Sequence, residues 1–354
     1  MLQLFNWLIK TFPSLASHQE LTAFVLFIIL GLLVLTFAAV VAGSLTYFER
    51  KVAARIQSRM GPIEIGLGGY IQWVADAIKL LLKEDIIPEN VDKILFRLAP
   101  YFAFLGAGLT YLVLPFSEKL ILADLNVGVL YFLAVSSITV IGILMAGWAS
   151  YNKWSLIGGI RSAAQIVSYE IPSALAVLPV VLYAGSLSTQ DVVRAQAGWA
   201  GFHWMIFQNP FIFISFFVFF ISMLAENNRI PFDLPEAESE LVAGYNTEYS
   251  GMRFAMFFLA EYSNVFILSA FAVTLFLGGW QPLFGLSLKI PGTAVDLWKL
   301  FSFFFKTSIM VFLVLTIRWT LPRVRIDQLM GLCWKYLVPI AFFDLFGVMF
   351  WMVL

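Results

Sequence analysis

The residues best suited to chemistry are ionisable side chains inside apolar stretches. Glu170, in QIVSYEIP, and Glu261, in FFLAEYSN, each lie in an apolar run next to a tyrosine. A carboxylate at membrane depth is costly and is typically functional, so both residues are predicted to relay protons. Lys306 and Asp344 also fall inside apolar runs, and Lys306 could act as a relay cation or a counter-ion.

The densest group of acids lies in the segment AENNRIPFDLPEAESELVAGYNTEYSG, which contains the acidic loop 226–250. Six acids in this loop accompany a single base, Arg229. The acids are Glu226, Asp233, Glu236, Glu238, Glu240 and Glu248. Two interpretations stay open: a solvated acidic loop, and an acidic funnel that exchanges protons with a cavity or a partner.

A basic stretch, YFERKVAARIQSRMGP, follows the first apolar run. Lys51, Arg55 and Arg59 recur at i, i+4 and i+8 and are expected on one helical face. Such a face typically contacts lipid headgroups, and it could also dock an acidic soluble partner or an anionic ligand. The last link on the same side adds further cations, Arg318, Arg323 and Arg325. One face of the protein is therefore expected to meet a partner.

The composition decides which kind of fold must position these groups. Of 354 residues, 61% are hydrophobic and 12% are charged, about half the charged share of an average soluble protein. This excludes a soluble globular fold. The net charge is zero, so nucleic acid is not an expected partner. Cys333 is the single cysteine, so we expect no metal site, no redox centre and no catalytic site of the chain's own.

Eight apolar runs predict an all-α fold, a polytopic membrane bundle of about eight transmembrane helices in a single domain, 1–354. Each run is near the ~20 residues that a helix needs to cross the hydrocarbon core, without the alternation of barrel strands. The predicted spans are 21–47, 98–116, 127–148, 163–185, 209–225, 254–278, 298–318 and 332–354. Residues 65–84 are amphipathic but too short and too charged to span, which predicts an interfacial helix.

The distribution of cations predicts the orientation of the bundle. Sixteen Lys and Arg residues fall in links on one side of the eight predicted spans and six fall on the other side. The positive-inside rule places the richer side, with the acidic loop, in the cytoplasm and both termini on the non-cytoplasmic side. A bacterial plasma (inner) membrane is the expected location.

Five motifs, in this order and spacing, resemble the quinone-site membrane component, the H subunit, of respiratory complex I (NADH:quinone oxidoreductase). They are ERKVAARIQSRMGP, WVADAIKLLLKEDIIP, SYEIP, NRIPFDLPEAESELVAGYNTEYSGMRFAMFFLAEY and LPRVRIDQLM. The resemblance covers about 49–339. The chain departs from the family after the Gly-Pro pair at 61–62, where Ile63 and Glu64 replace the usual Asn and a frequent basic residue.

The resemblance implies a proton-pumping complex in which this subunit forms part of the quinone tunnel. Quinone is the implied substrate, with flavin and iron–sulfur clusters in partner subunits. The implied partners are soluble-arm subunits, including the one with the terminal iron–sulfur cluster, and membrane-arm subunits, including antiporter-like ones. Tunnel or partner contacts are implied for Glu49, Arg50, Arg55, Arg59, Asp76 and Arg318. A proton path is implied for Glu170, Glu226, Asp233, Glu236, Glu238, Glu240, Glu248 and Glu261.

Two other functions stay open at this point. The homologous subunit of a membrane-bound hydrogenase-type complex would use the same scaffold without quinone, and bound quinone with quinone reductase activity would distinguish the two. An independent ion transporter is the second alternative. Transporters commonly contain paired inverted repeats, which this sequence lacks, and ion transport by the chain alone in liposomes would favour that function.

Overall fold

The protein is all-α in the part of the chain that the structure, a computed structural model, describes: residues 19–198, 203–235, 238–282 and 293–353. A π-helical turn, Leu332–Leu337, joins the last two helices. The helices are α1 Gln19–Ile56, α2 Gln72–Leu82, α3 Lys93–Thr110, α4 Gly128–Ser136, α5 Ile138–Ala149, α6 Lys153–Ala184, α7 Thr189–Ala195, α8 Met205–Gln208, α9 Pro210–Glu226, α10 Glu238–Leu241, α11 Gly251–Phe276, α12 Thr293–Thr320, α13 Ile326–Gly331 and α14 Val338–Val353.

The predicted polytopic membrane bundle is confirmed. In the described ranges, seven helical segments are long and apolar enough to cross a membrane. They are Phe24–Ile56, Lys93–Val113, Gly128–Ala149, Lys153–Ala184, Gly251–Phe276, Val295–Thr320 and Ile326–Val353. The remaining predicted span corresponds to α9, whose 17 residues are near the lower limit for crossing the hydrocarbon core. That α9 also crosses stays a prediction.

Helix α1 extends beyond its predicted span, to Ile56. It ends because Ser58 adopts a left-handed conformation, with φ of 54°. The N–H of Arg59 then donates to the carbonyl of Ala54 at 2.8 Å, which closes the helix in the manner of a Schellman motif. Arg59 therefore lies beyond the helix, and the prediction of one helical face with Lys51, Arg55 and Arg59 is wrong.

The helix predicted to be interfacial is shorter than the expected 65–84. Gly66, Gly68 and Gly69 have positive φ values that favour glycine and form a turn, so α2 begins only at Gln72. No residue of α2 is fully buried, as expected for a helix at the edge of the bundle. A Cβ on Gly43 would lie 2.5 Å from the ring of Trp73, so this glycine lets α2 lie directly against α1.

The core of the bundle is built around α11, which is the most buried of the seven spanning segments. It packs against α1, α3 and α12, while α6 packs against α5, α9 and α14. Small residues permit close approach where these helices cross. A Cβ on Gly142 in α5, for example, would lie 2.6 Å from the backbone nitrogen of Ala103 in α3. This packing places the middle of α11 at the centre of the protein.

Candidate functional site

Four charged side chains from distant parts of the sequence meet inside the bundle, and we call them the central cluster. Arg318 of α12 donates to the Glu49 carboxylate of α1. Arg229, in the loop after α9, places its Nη1 3.9 Å from Glu49 Oε2 and its Nη2 3.5 Å from Glu261 Oε2 on α11. Two carboxylates thus accompany two guanidinium groups. Buried charges are tolerated because they are paired in this way.

Aromatic residues fix the geometry of the central cluster. The Tyr245 hydroxyl donates to Glu261 Oε1 at 2.8 Å. The guanidinium carbon of Arg229 lies 4.2 Å from the centroid of the Tyr262 ring, a favourable cation–π contact. Gly158 of α6 leaves room for Tyr245, because a Cβ on this glycine would lie 2.9 Å from the Tyr245 nitrogen. The orientation of Glu261 therefore depends on the acidic loop and on α6.

A cavity of about 30 Å³ with polar and apolar lining residues, which we call the polar cavity, extends from Glu261 into the bundle and has room for water. Its polar lining residues are Thr110, Ser136, Thr139, Glu226, Asn227, Asn228, Tyr245, Glu261 and Asn264. Glu170 is close enough to Glu226 for their charges to interact, and one of its carboxyl oxygens is buried without a hydrogen-bond partner. Carboxylates beside confined water can accept and release protons, so this cavity could carry protons.

Three other acids of the predicted path, Asp233, Glu240 and Glu248, do not line the cavity. Asp233 pairs with Arg323 at 3.4 Å. Glu240 is exposed and pairs with Arg161 at 2.6 Å, and the hydrogen bond from this arginine holds the pKa of Glu240 below its usual value. The remaining acids are Glu248, which accepts a hydrogen bond from Asn152, Glu238, the first residue of α10, and Glu236, which lies outside the described residues.

The residues implied for tunnel or partner contacts divide between the central cluster and the edge of the bundle. Arg50 Nη1 lies 2.7 Å from Asp76 Oδ2 and ties α1 to α2. Partial burial raises the pKa of Asp76, but the hydrogen bond and charge of Arg50 outweigh it and keep the pKa below its usual value. This ion pair holds α2 against the end of α1.

The last turns of α1 and the residues that follow it enclose an open hollow of about 460 Å³, which we call the basic cradle. Its lining residues are Lys51, Ala54, Arg55, Ser58, Arg59, Met60, Gly61 and Ile63. Arg55, Arg59 and Met60 are exposed. Three cations around an open hollow can bind an anionic group or an acidic surface. Ile63, at the departure from the family pattern, is part of this surface.

Sequence reasoning did not identify Arg229 or Tyr245 as site residues. Arg229 is the single base among the six acids of the loop, which was a usable signal, because an isolated base among acids is placed to pair with one of them. Tyr245 carried no such signal. In the described ranges no group of three or more His, Cys, Asp or Glu side chains could hold a metal ion.

The chain is similar to known membrane proteins over most of its length. Residues 28–349 match the model of the NADH dehydrogenase family. The NADH-quinone oxidoreductase H subunit of Anaeromyxobacter dehalogenans is 50% identical over 338 residues, covering 92% of this chain and 82% of the relative. The proteins of the same name from Brevibacillus brevis and Bacteroides fragilis are 50% and 45% identical, covering 90% and 96% of this chain and 91% and 94% of their own lengths. The chain therefore belongs to the NADH dehydrogenase family of membrane subunits that includes the H subunit of NADH-quinone oxidoreductase.

Proposed function

We propose that this chain is the quinone-site membrane subunit of a proton-translocating NADH:quinone oxidoreductase. It forms part of the quinone tunnel and couples quinone reduction to proton pumping through buried carboxylates. The observation that supports this most directly is the central cluster. Glu49 belongs to the cluster, while its neighbour Arg50 holds α2 at the edge of the bundle through Asp76. Glu261 belongs to both the cluster and the polar cavity.

The coupling in this proposal is electrostatic. Reduction of quinone by two electrons is completed by the uptake of two protons, and the negative charge formed before uptake acts on nearby carboxylates. A unit charge about 10 Å from a carboxylate interacts by roughly 1.7 kcal/mol at an effective dielectric constant of about 20. That energy changes an equilibrium constant by more than tenfold. The change in protonation then passes along the bundle through three acids in and beside the cavity, Glu261, Glu226 and Glu170.

The electrons come from partner subunits, since this chain contributes only binding and proton-transfer groups to the proposal. The proposed partners are the soluble-arm subunits that hold flavin and iron–sulfur clusters, including the one with the terminal cluster, which we place over the basic cradle. Antiporter-like and other membrane-arm subunits would receive the protonation change. The proposed location is a bacterial plasma membrane, with the acidic loop in the cytoplasm and the termini on the other side.

Glu170→Gln and Glu261→Gln test this function in the assembled complex. We expect NADH:quinone turnover to fall at least tenfold, while NADH oxidation by a hydrophilic acceptor that takes electrons before quinone stays unchanged. Glu240→Gln is the matched control, because Glu240 is an exposed acid of the acidic loop that does not line the cavity. Normal turnover and normal proton pumping in both test variants would remove these residues from the mechanism. Absence of quinone reductase activity in the purified native complex would instead favour the hydrogenase-type alternative.

A further inference from the structure

Lys306 of α12 is a buried cation that the proposed proton path does not use. It is 4% exposed. Its Nζ donates to three backbone carbonyls, those of Leu277 at 2.8 Å, Gly279 at 3.1 Å and Gln281 at 2.8 Å. It also lies 4.6 Å from the centroid of the Trp204 ring. An ammonium has three N–H donors and no acceptor, so the carbonyls use all three donors. A neutral amine would direct its lone pair at a carbonyl, and the geometry is therefore that of an ammonium group.

These carbonyls follow the end of α11, far from the central cluster. Glu261 lies fifteen residues before Phe276, the last residue of α11, which is about 22 Å along the helix axis. The carbonyls of Thr274 and Leu275, at this same end, already accept hydrogen bonds from Gln196 Nε2. The end of α11 is thus capped by a neutral side chain, and a cation is not required for that purpose.

Buried hydroxyls lie on both sides of Lys306, Ser269 on the side of the polar cavity and Ser302 on the far side, because α12 runs antiparallel to α11. The cavity lining on α11 extends to Leu268. Ser269, the next residue, and Ser302, one turn before Lys306 on α12, are both fully buried, and neither hydroxyl has a hydrogen-bond partner. An unpaired buried hydroxyl is a place where a water molecule can bind. The polar interior therefore continues from the cavity towards the membrane face opposite the acidic loop.

We propose that Lys306 is an electrostatic barrier that stops protons from passing between the polar cavity and the opposite membrane face. A fixed positive charge in a narrow polar path repels protons and other cations, as positive groups do in selective channels. The inference rests on the proposed function, because a barrier is needed only if the cavity carries protons. It assigns Lys306 a role in keeping pumped protons from returning, and not in relaying them.

The test uses the purified complex in liposomes, without NADH or quinone. A pH gradient is imposed and its decay is followed with an entrapped pH-sensitive dye. We expect Lys306→Gln, which keeps amide donors but removes the charge, to speed the decay at least fivefold. With Lys306→Arg the pH gradient should decay at the wild-type rate. Lys299→Gln is the matched control, because Lys299 lies on the same helix 4.7 Å from the Trp280 ring centroid but pairs with Glu118, and it should also decay at the wild-type rate.

If the pH gradient decays at the same rate in Lys306→Gln and in the wild type, the proposal is wrong. It is also wrong if Lys306→Arg leaks as fast as Lys306→Gln. If both Lys306→Gln and Lys306→Met fail to assemble while Lys306→Arg assembles, the charge serves folding and the proposal is wrong. The decay is measured without turnover, so it is independent of the Glu170 and Glu261 tests. If Lys306→Gln leaks while Glu170→Gln and Glu261→Gln show normal turnover, the barrier is supported and the proposed proton path is wrong.

Discussion

Glu49→Gln is the perturbation that most directly tests the central cluster. Glu49 contacts both arginines, and Arg229 alone, at 3.9 Å, interacts with it by about 4 kcal/mol at an effective dielectric constant of about 20. Without this charge, Arg318 loses the carboxylate to which it donates, while Arg229 keeps its pairing with Glu261. Removing one partner from a buried ion pair costs about 3–5 kcal/mol. We expect a cost near the lower value, because Arg318 is partly exposed and water can solvate it.

The double variant Glu49→Gln/Arg318→Gln makes the test specific. It removes one charge of each sign and leaves Arg229 with Glu261, so the cluster stays neutral. The two changes should therefore not add, and we expect a coupling of about 1–3 kcal/mol, within the usual range for contacting residues. The assay is the midpoint temperature at which the purified complex loses this subunit, together with NADH:quinone turnover of the same samples.

The order of the midpoints decides the outcome. The double variant should dissociate at a higher temperature than Glu49→Gln alone. Arg325→Gln serves as the control, because Arg325 pairs with Asp327 at the surface and such pairs contribute only about 0–1 kcal/mol. If the double variant loses as much stability as the two single changes together, the cluster does not act as one electrostatic unit and the reasoning is refuted.

Three further changes test how the site is positioned. Gly158→Ala should displace Tyr245 from its hydrogen bond with Glu261. We expect it to reduce stability by about 1–3 kcal/mol and to lower quinone turnover. Gln165→Leu removes the donor to two buried carbonyls and should cost at least about 1–3 kcal/mol, measured as loss of assembled subunit. The pKa of Asp76 in the folded protein is depressed, so its ion pair contributes fully to stability above the unfolded-state pKa of about 3.9. That contribution is lost as the pH falls through the folded-state pKa. Arg50→Gln should shift that loss to higher pH, measured by hydrogen exchange of residues 66–82 between pH 3 and 5.

The membrane spans could be predicted from sequence because they depend on local composition. An apolar run of about 20 residues has few alternatives to a helix in a bilayer. Glu170 and Glu261 could also be chosen as candidates, since an acid within such a run is a candidate for function by its residue type alone; their roles stay predictions. The ends of α1 and α2 could not be placed, because they depend on Ser58 and on glycines with positive φ.

The partners of the acids could not be derived from the chain alone. Glu49 and Arg318 are 269 residues apart, and no local pattern links them. Glu240 is exposed beside Arg161, as a solvated loop predicts, while Glu226 lines the cavity, and proton exchange there stays a prediction. Which acid is buried is decided by the helices that surround the loop, and not by the loop's own composition.

The position of Arg229 indicates how the central cluster can respond to charge. Its guanidinium lies 3.5 Å from one carboxylate and 3.9 Å from the other. At an effective dielectric constant of about 20, the interaction energies at these two distances differ by only about 0.5 kcal/mol, which is less than thermal energy. A movement of a few tenths of an ångström therefore transfers the stronger pairing from Glu261 to Glu49 at almost no cost. A new unit charge about 10 Å from Glu261 interacts with its carboxylate by roughly 1.7 kcal/mol, which exceeds this difference, so we expect the protonation of Glu261, rather than a movement of Arg229, to respond to it.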